Sequence, residues 1–232
     1  MQKLLAGLLS VIVICIMPNL LSADATDNET PIEIATRLQN HYDTITSLSL
    51  NFHQDTRGEM AGRPRKGSGK ALFYRDAGSN KMRWDYSAPD EQVLLSDGKN
   101  FFMYFAAQQQ MIVTPAENLE VELTYGFFIG KGNLVEDFQI LPADDNLKAM
   151  SGKSIKTIKL IPLKPQAQVQ DIHLWVSSDS LLRRMHIQDH FGTVTVLNFS
   201  DIQINSLSNT SAEQVEELFN FTPPDDTEII YQ

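Results

Sequence analysis

The chain has 232 residues and a formal net charge of −10 at neutral pH. This charge argues against nucleic-acid binding, because a phosphate backbone attracts the opposite sign. A hydrophobic content of 42% argues against an intrinsically disordered chain.

Residues 1–25 predict a cleaved export signal. Lys3 gives a positive start, residues 4–21 are almost wholly apolar, and Ala23-Asp24-Ala25 is a small-x-small cleavage site. A membrane anchor is the alternative, but the apolar run is short for a span and contains Pro18.

The only cysteine, Cys15, lies inside this leader, so the chain after cleavage has no disulfide and no cysteine-based site. Residues 26–232 suit one soluble, exported domain of roughly 200 residues.

A helix is predicted over residues 31–45. Thr30 is a hydroxyl cap, Pro31 takes the first helical position, and Glu33 follows three residues after the cap. Apolar side chains then recur every three or four positions, at Ile34, Leu38, Tyr42 and Ile45.

Most of the remaining chain alternates apolar and polar side chains with period two, which is typical of half-buried strands. Turn signals such as Asp97-Gly98 separate the runs. We therefore predict about ten strands in an antiparallel meander. They cover residues 47–53, 70–75, 82–86, 92–95, 100–105, 110–113, 154–161, 170–176, 181–188 and 193–199.

Two further helices are predicted. The first covers residues 116–126, where Leu119, Leu123 and Phe127 repeat every fourth residue. The second covers residues 211–218, with Ser211 and Gln214 at the positions of a capping box.

Three helices are few to cover so large a sheet, which should therefore curl with its apolar face inward. Either side chains fill the inside, or a hollow remains that can take an apolar guest. Plain core packing explains each aromatic taken alone. Those expected on the inner face are Phe52, Phe73, Trp84, Phe102, Tyr104, Trp175 and Phe199.

The motifs of enzymes and metal sites are incomplete. Gly67-Ser68-Gly69-Lys70 resembles part of a phosphate loop, but Ser68 stands where lysine is required, so a turn between strands is predicted. His186 and His190 have the spacing of a helical zinc pair, but they flank a strand end. We predict no catalytic residue, no metal and no cofactor.

Arg75 shares its strand face with Ala71 and Phe73, which are assigned to the interior. An unpaired buried charge is prohibitive, so the guanidinium needs acceptors or water. Two alternatives stay open. Arg75 either reaches the turn at residues 76–80, or acts as a polar latch that bonds carbonyls of a covering helix.

Several motifs, in order and after a signal sequence, carry a resemblance to the outer-membrane lipoprotein carrier family of Gram-negative bacteria, LolA. They are Phe52-His53-Gln54, Gly67-Ser68-Gly69, Arg83-Trp84-Asp85-Tyr86-Ser87-Ala88-Pro89, Ser96-Asp97-Gly98-Lys99 and Phe219-Asn220-Phe221-Thr222-Pro223-Pro224. The resemblance implies a mainly β (α+β) fold. It is a curved antiparallel half-barrel of about ten or eleven strands, closed by a lid of about three helices around an apolar cavity.

The resemblance also implies a function and partners. Such carriers take lipoproteins from an inner-membrane ABC transporter, shield their acyl chains across the periplasm and deliver them to an outer-membrane receptor, LolB. A monomer is expected. A periplasmic carrier of another lipid, such as a glycolipid or pigment precursor, and a lipid-sensing module are the alternatives.

Arg75 matches the family's gating arginine, although Asp76 replaces the usual proline and the turn is longer, which leaves Arg83 as an alternative. Met82 matches a cavity-facing position and Trp84 the shared tryptophan. The other residues expected to bind lipid or gate the cavity are Leu50, Phe52, Phe73, Tyr104, Leu119, Leu123 and Phe127, the last three with Phe128 in the lid.

Overall fold

A computed structural model describes residues 29–58, 63–76, 79–116, 128, 132–148, 154–166 and 168–232. The expected signal at residues 1–25 lies outside these ranges, as does the predicted helix at 116–126 except for Ala116. In the described part, no helix combines the length and the apolar character needed to span a bilayer.

Twelve strands form one open, curved sheet that does not close into a barrel. The strand order is β12-β6-β5-β4-β3-β2-β1-β11-β10-β9-β8-β7. The strands are β1 (Ser47–Arg57), β2 (Arg65–Asp76), β3 (Ser79–Ala88), β4 (Gln92–Ser96), β5 (Asn100–Phe105), β6 (Gln110–Pro115), β7 (Phe138–Pro142), β8 (Ile155–Pro162), β9 (Asp171–Ser177), β10 (Leu182–Gln188), β11 (Val194–Ile204) and β12 (Glu228–Tyr231). The helices within the described residues are α1 (Pro31–Asp43), α2 (Leu134–Asp137), α3 (Asp145–Lys148) and α4 (Ala212–Leu218).

All ten predicted strands are present, as β1–β6 and β8–β11, which confirms the mainly β fold. The count of ten or eleven is corrected to twelve by β7 and β12. These two strands escaped prediction because each is short and shows no clear alternation. The meander is also not wholly antiparallel, since β12 pairs in parallel with β6.

Local capping sets the ends of the helices. The Thr30 hydroxyl accepts the Glu33 N–H, and the Glu33 carboxylate accepts the Thr30 N–H, which confirms the predicted start of α1. The helix ends at Asp43, earlier than the predicted residue 45, because the Thr44 N–H turns back to the carbonyls of His41 and Tyr42. In α4 the predicted box of Ser211 and Gln214 is formed.

The strand register defines an inner and an outer face of the sheet. On the inner face, Leu50 lies opposite Ala71, which lies opposite Trp84. The next row brings together Leu48, Phe73 and Met82. The buried side of α1 packs into this same core, with Ile34, Leu38 and Tyr42.

The outer face carries a second apolar cluster, which corrects two predicted positions. Register places Tyr104 opposite Val93, and Phe102 opposite Leu95, on the side of the sheet facing away from Trp84. Phe221, from the segment after α4, covers Tyr104 with ring centroids 5.0 Å apart. The cluster is Val93, Leu95, Tyr104, Met111 and Val113, with Phe102, Ala106 and Phe221 against it.

Trp175 is likewise on the outer face, contrary to prediction. It pairs with Arg184, which pairs with Asn198 opposite His53, the outward neighbour of Phe52. The Arg184 guanidinium lies 5.0 Å from the centre of the Trp175 ring.

The glycine-rich motif lies within β2 and not in a turn, so that prediction was wrong. The pairing of β2 with β3 shifts between Ser68 and Gly69. A Cβ at position 69 would overlap the carbonyl of Asp85, so this irregularity requires glycine.

Candidate functional site

A cluster of aromatic rings forms the centre of the inner face. Phe52 lies 4.5 Å from Trp84 and 4.7 Å from Tyr86, between ring centroids. Phe73 meets Trp84 edge to face at 5.9 Å. These tilted contacts are the favoured arrangements of aromatic pairs, and they build a rigid apolar surface on β1, β2 and β3.

Phe128 covers this surface and is only 2% exposed. Its ring stacks on Phe73 at 4.9 Å and meets Phe199 edge to face at 5.4 Å. On the side of α1 it lies 6.1 Å from Tyr42. The space between Tyr42, Phe73, Arg75 and Phe128 has no room for a water molecule, so the interior is closed at this point.

Arg75 joins two covering segments to β2. Its Nη1 donates to the carbonyl of Tyr42 at 2.8 Å, and its Nη2 donates to the carbonyl of Phe128 at 3.2 Å. Burial lowers the pKa of this guanidinium, and the charge of Asp43 opposes that effect. The group stays charged at neutral pH, so both hydrogen bonds are charge-assisted.

Arg83 serves the opposite face of the sheet. Its Nε donates to the Asp85 carboxylate at 2.8 Å, and its Nη1 donates to the carbonyls of Leu218 and Asn220 at 3.0 and 3.2 Å. Of the two arginines considered from the sequence, only Arg75 lies beside the inner cluster.

The structure brings together most of the residues singled out in the sequence. Leu50, Phe52, Phe73, Met82 and Trp84 belong to one buried core, and Arg75 lies at its edge. Tyr104 is excluded from this group by its position on the outer face. Leu119, Leu123 and Phe127 lie outside the described residues.

Sequence reasoning missed the part that Tyr42 plays. Its carbonyl accepts from Arg75, and its hydroxyl accepts the N–H of Leu182 at 3.2 Å. Burial raises the pKa of this hydroxyl, which therefore stays protonated. The helical period placed Tyr42 on the apolar side of α1, but no local signal indicates either partner.

The inner apolar surface continues beyond the closed core. Leu94, Met103 and Ile112 follow Trp84 in one row across β4, β5 and β6, and all three are half-buried. Among the described residues, no group of histidine, cysteine or carboxylate side chains is arranged to hold a metal ion. A smooth aliphatic and aromatic surface of this kind suits an alkyl chain.

Comparison with known proteins agrees with this geometry. The family model for the outer membrane lipoprotein carrier protein LolA matches residues 43–222. An outer-membrane lipoprotein carrier protein of Nitrosomonas europaea is 27% identical over 223 residues, covering 95% of each chain. One from Alcanivorax borkumensis is 27% identical over 233 residues, covering 100% of this chain and 99% of the relative.

Among solved structures, an uncharacterised conserved protein from Thermus thermophilus superposes with a TM-score of 0.51 at 11% identity. The match covers 87% of this chain and 98% of that protein. At this identity the likeness shows the fold alone.

Proposed function

Because the chain belongs to the outer-membrane lipoprotein carrier (LolA) family, we propose that it binds the acyl chains of lipoproteins on its inner face and carries them across the periplasm. It receives them from an inner-membrane ABC transporter and delivers them to a LolB-like receptor. The observation that carries this proposal is the apolar inner face, closed by Phe128 under the hydrogen bonds of Arg75.

The energetics require a cover that moves. Burying an acyl chain of about 16 carbons is worth on the order of 12 kcal/mol. A carrier that kept all of this free energy could not release its cargo. Contacts that the empty protein makes with itself reduce the net gain, because cargo must first displace them. Phe128 supplies such contacts with Phe73 and Phe199.

In this mechanism Arg75 acts as a latch. Its guanidinium holds the carbonyls of Tyr42 and Phe128 next to β2 in the closed state. When Phe128 leaves Phe73, the hydrogen bond to its carbonyl breaks. Arg75 therefore sets how easily the inner face opens, and it need not touch the cargo.

The two tryptophans allow a direct test, because Trp84 lies on the inner face and Trp175 on the outer face. A fatty acid brominated along its chain quenches indole fluorescence only at short range. We expect it to quench the Trp175→Phe variant, which retains Trp84, and to leave the Trp84→Phe variant unquenched. Quenching of Trp175 alone, or of neither, contradicts binding on the inner face.

Cargo identity needs a second measurement. Mass spectrometry of material that co-purifies from the native periplasm should detect triacylated or diacylated peptides. Recovery of glycolipid or a pigment precursor in their place would assign the carrier to another lipid.

A further inference from the structure

One end of the sheet gathers three connections between strands, and we call it the turn end. There β1 ends opposite the start of β11, since Arg57 pairs with Val194, and β10 ends beside the same residue, since Gln188 pairs with Val194. The β8–β9 connection adjoins the β10–β11 turn, because a ring nitrogen of His190 lies 2.8 Å from the carbonyl of Gln166.

Two large apolar side chains project from the turn end into solvent. Phe191, in the β10–β11 turn, is 67% exposed, and Leu163, in the β8–β9 connection, is 60% exposed. Exposed apolar groups that lie close together commonly mark a contact with a partner or a membrane.

The backbone around Phe191 is fixed, so its exposure is built into the turn. The Asp189 carboxylate accepts the N–H of Phe191 at 2.8 Å and the N–H of Thr193 at 2.7 Å. The Asp189 N–H in turn donates to the carbonyl of Thr193 at 3.0 Å. This closed set of hydrogen bonds presents the ring outward.

Cationic side chains surround these two residues. Arg63, Arg65, Lys66 and Lys164 are all exposed at this end, although the chain as a whole carries a net charge of −10. Within the described residues, no salt bridge joins Arg63, Arg65 or Lys164 to a carboxylate.

The carboxylates of this end are for the most part occupied. Asp55 pairs with Arg57, and Asp189 accepts N–H groups of its own turn. Asp137 accepts the N–H of Asn133 at 2.6 Å, and its neighbour Glu136 is exposed. The cations are therefore available to an external anion.

The inner face next to the turn end is less well covered than its centre. Gln54, Tyr86 and Ile187 are only half-buried there. The cover is tied to the other end of the strands, where Arg37 of α1 donates to the carbonyl of Ser177 at 2.9 Å, and Arg75 holds Tyr42.

We propose that the turn end is a docking surface for an anionic lipid bilayer. Phe191 and Leu163 enter the interfacial region, and the surrounding arginines and lysines contact the headgroups. This places the less covered part of the inner face next to the membrane that supplies or receives acyl chains. That consequence rests on the proposed function, whereas the contact with the bilayer does not.

The contact is tested by flotation of the cargo-free protein with vesicles of phosphatidylcholine, with or without phosphatidylglycerol. The Phe191→Ser/Leu163→Ser variant should lose about tenfold or more of its binding to anionic vesicles. The Arg63→Gln/Arg65→Gln/Lys164→Gln variant should bind both vesicles equally weakly, because wild-type binding should fall with rising salt.

Matched controls remove similar groups elsewhere. Ile32 on α1 is 45% exposed, and Lys99 is exposed between β4 and β5, so Ile32→Ser and Lys99→Gln should float like the wild-type protein. Circular dichroism of every variant confirms that it is folded.

A wild-type protein that does not float overturns the proposal, and so do turn-end variants that float normally. Binding to solubilised inner-membrane protein through Phe191, without binding to vesicles, also overturns it in favour of a protein partner. Quenching of Trp84 by brominated fatty acid is measured on the same samples. Lost flotation with normal quenching removes only the bilayer contact, whereas normal flotation with lost quenching removes only the carrier function.

Discussion

Phe128 stacks face to face on Phe73, with ring centroids 4.9 Å apart and ring planes inclined by 23°. The ring thereby occupies part of the inner surface that a bound alkyl chain would need. Burial of Phe128 stabilises the closed protein, and the same burial opposes binding of a guest. Stability and affinity are therefore expected to change in opposite directions at this residue.

Phe128→Ala should lower the free energy of unfolding by about 3–5 kcal/mol, because a buried aromatic ring is lost. It should also tighten the apparent Kd for a fatty acid several-fold, because less protein must be displaced. Quenching titrations of Trp84 and denaturant unfolding measure the two effects. Phe221→Ala is the control, since it removes a ring from the outer cluster and should reduce stability without changing the Kd. An unchanged Kd in Phe128→Ala would show that its ring does not compete with cargo.

Arg75→Leu should leave the fold intact and favour the open state. It removes the donors to the carbonyls of Tyr42 and Phe128, and each such charge-assisted bond is worth about 1.5 kcal/mol at a half-buried site. Hydrogen exchange at the last turn of α1 should speed up about tenfold, and cargo transfer to the receptor should fall. Arg83→Leu changes a guanidinium on the outer face and should leave transfer unchanged. Normal loading and delivery by Arg75→Leu would disprove the latch.

Gly69→Ala should destabilise the protein by about 3 kcal/mol, because the new methyl group meets the backbone carbonyl of Asp85 and not a movable side chain. Ser68→Ala, at the neighbouring position, should stay within about 0.5 kcal/mol of wild type. Denaturant midpoints compare the two variants. Equal midpoints would mean that β2 and β3 can adjust their register without cost.

The free energy of unfolding should fall as the pH drops below the ordinary pKa of histidine. His173 lies on the outer face, 3.3 Å from a carboxylate oxygen of Asp144 and 3.4 Å from one of Asp171. Burial lowers its pKa, and Asp144 and Asp171 offset this only in part, while Lys159 and His186 add to the lowering. Burial also lowers the pKa of His186. The unfolded chain therefore binds more protons than the folded one in this range, so stability rises with pH.

Urea unfolding between about pH 5 and about pH 7 measures this slope, and His173→Asn should flatten it. His53→Asn, which removes an exposed imidazole from β1, provides the comparison. A steeper slope in His173→Asn would reverse the assigned direction of the pKa shift.

The sequence predicted what depends on near neighbours. The start of α1 follows from Thr30 and Glu33, which lie within one helical turn. Ten strands follow from a period of two that each strand carries within itself. Strands β7 and β12 lack that period, because they lie at the two edges of the sheet and are four or five residues long.

The face assignment of β5 shows why the rest was out of reach. Phe101, Phe102, Met103, Tyr104 and Phe105 are all apolar, so either set of alternate residues could face inward. The choice is made by Phe221, far along the chain, which packs on Tyr104. The partners of Arg75 are backbone carbonyls of distant segments, and no residue type signals them in advance.

The position of β1 in the middle of the sheet governs how the polypeptide reaches its native state. Its residues pair with β2 on one side and with β11, residues 194–204, on the other. During synthesis and export, β1 keeps a row of unsatisfied amides until most of the polypeptide has emerged. Such long-separation pairings slow folding, and the bare edge favours intermolecular association in the meantime. A holdase that shields this strand would raise the yield of native molecules without altering the finished structure.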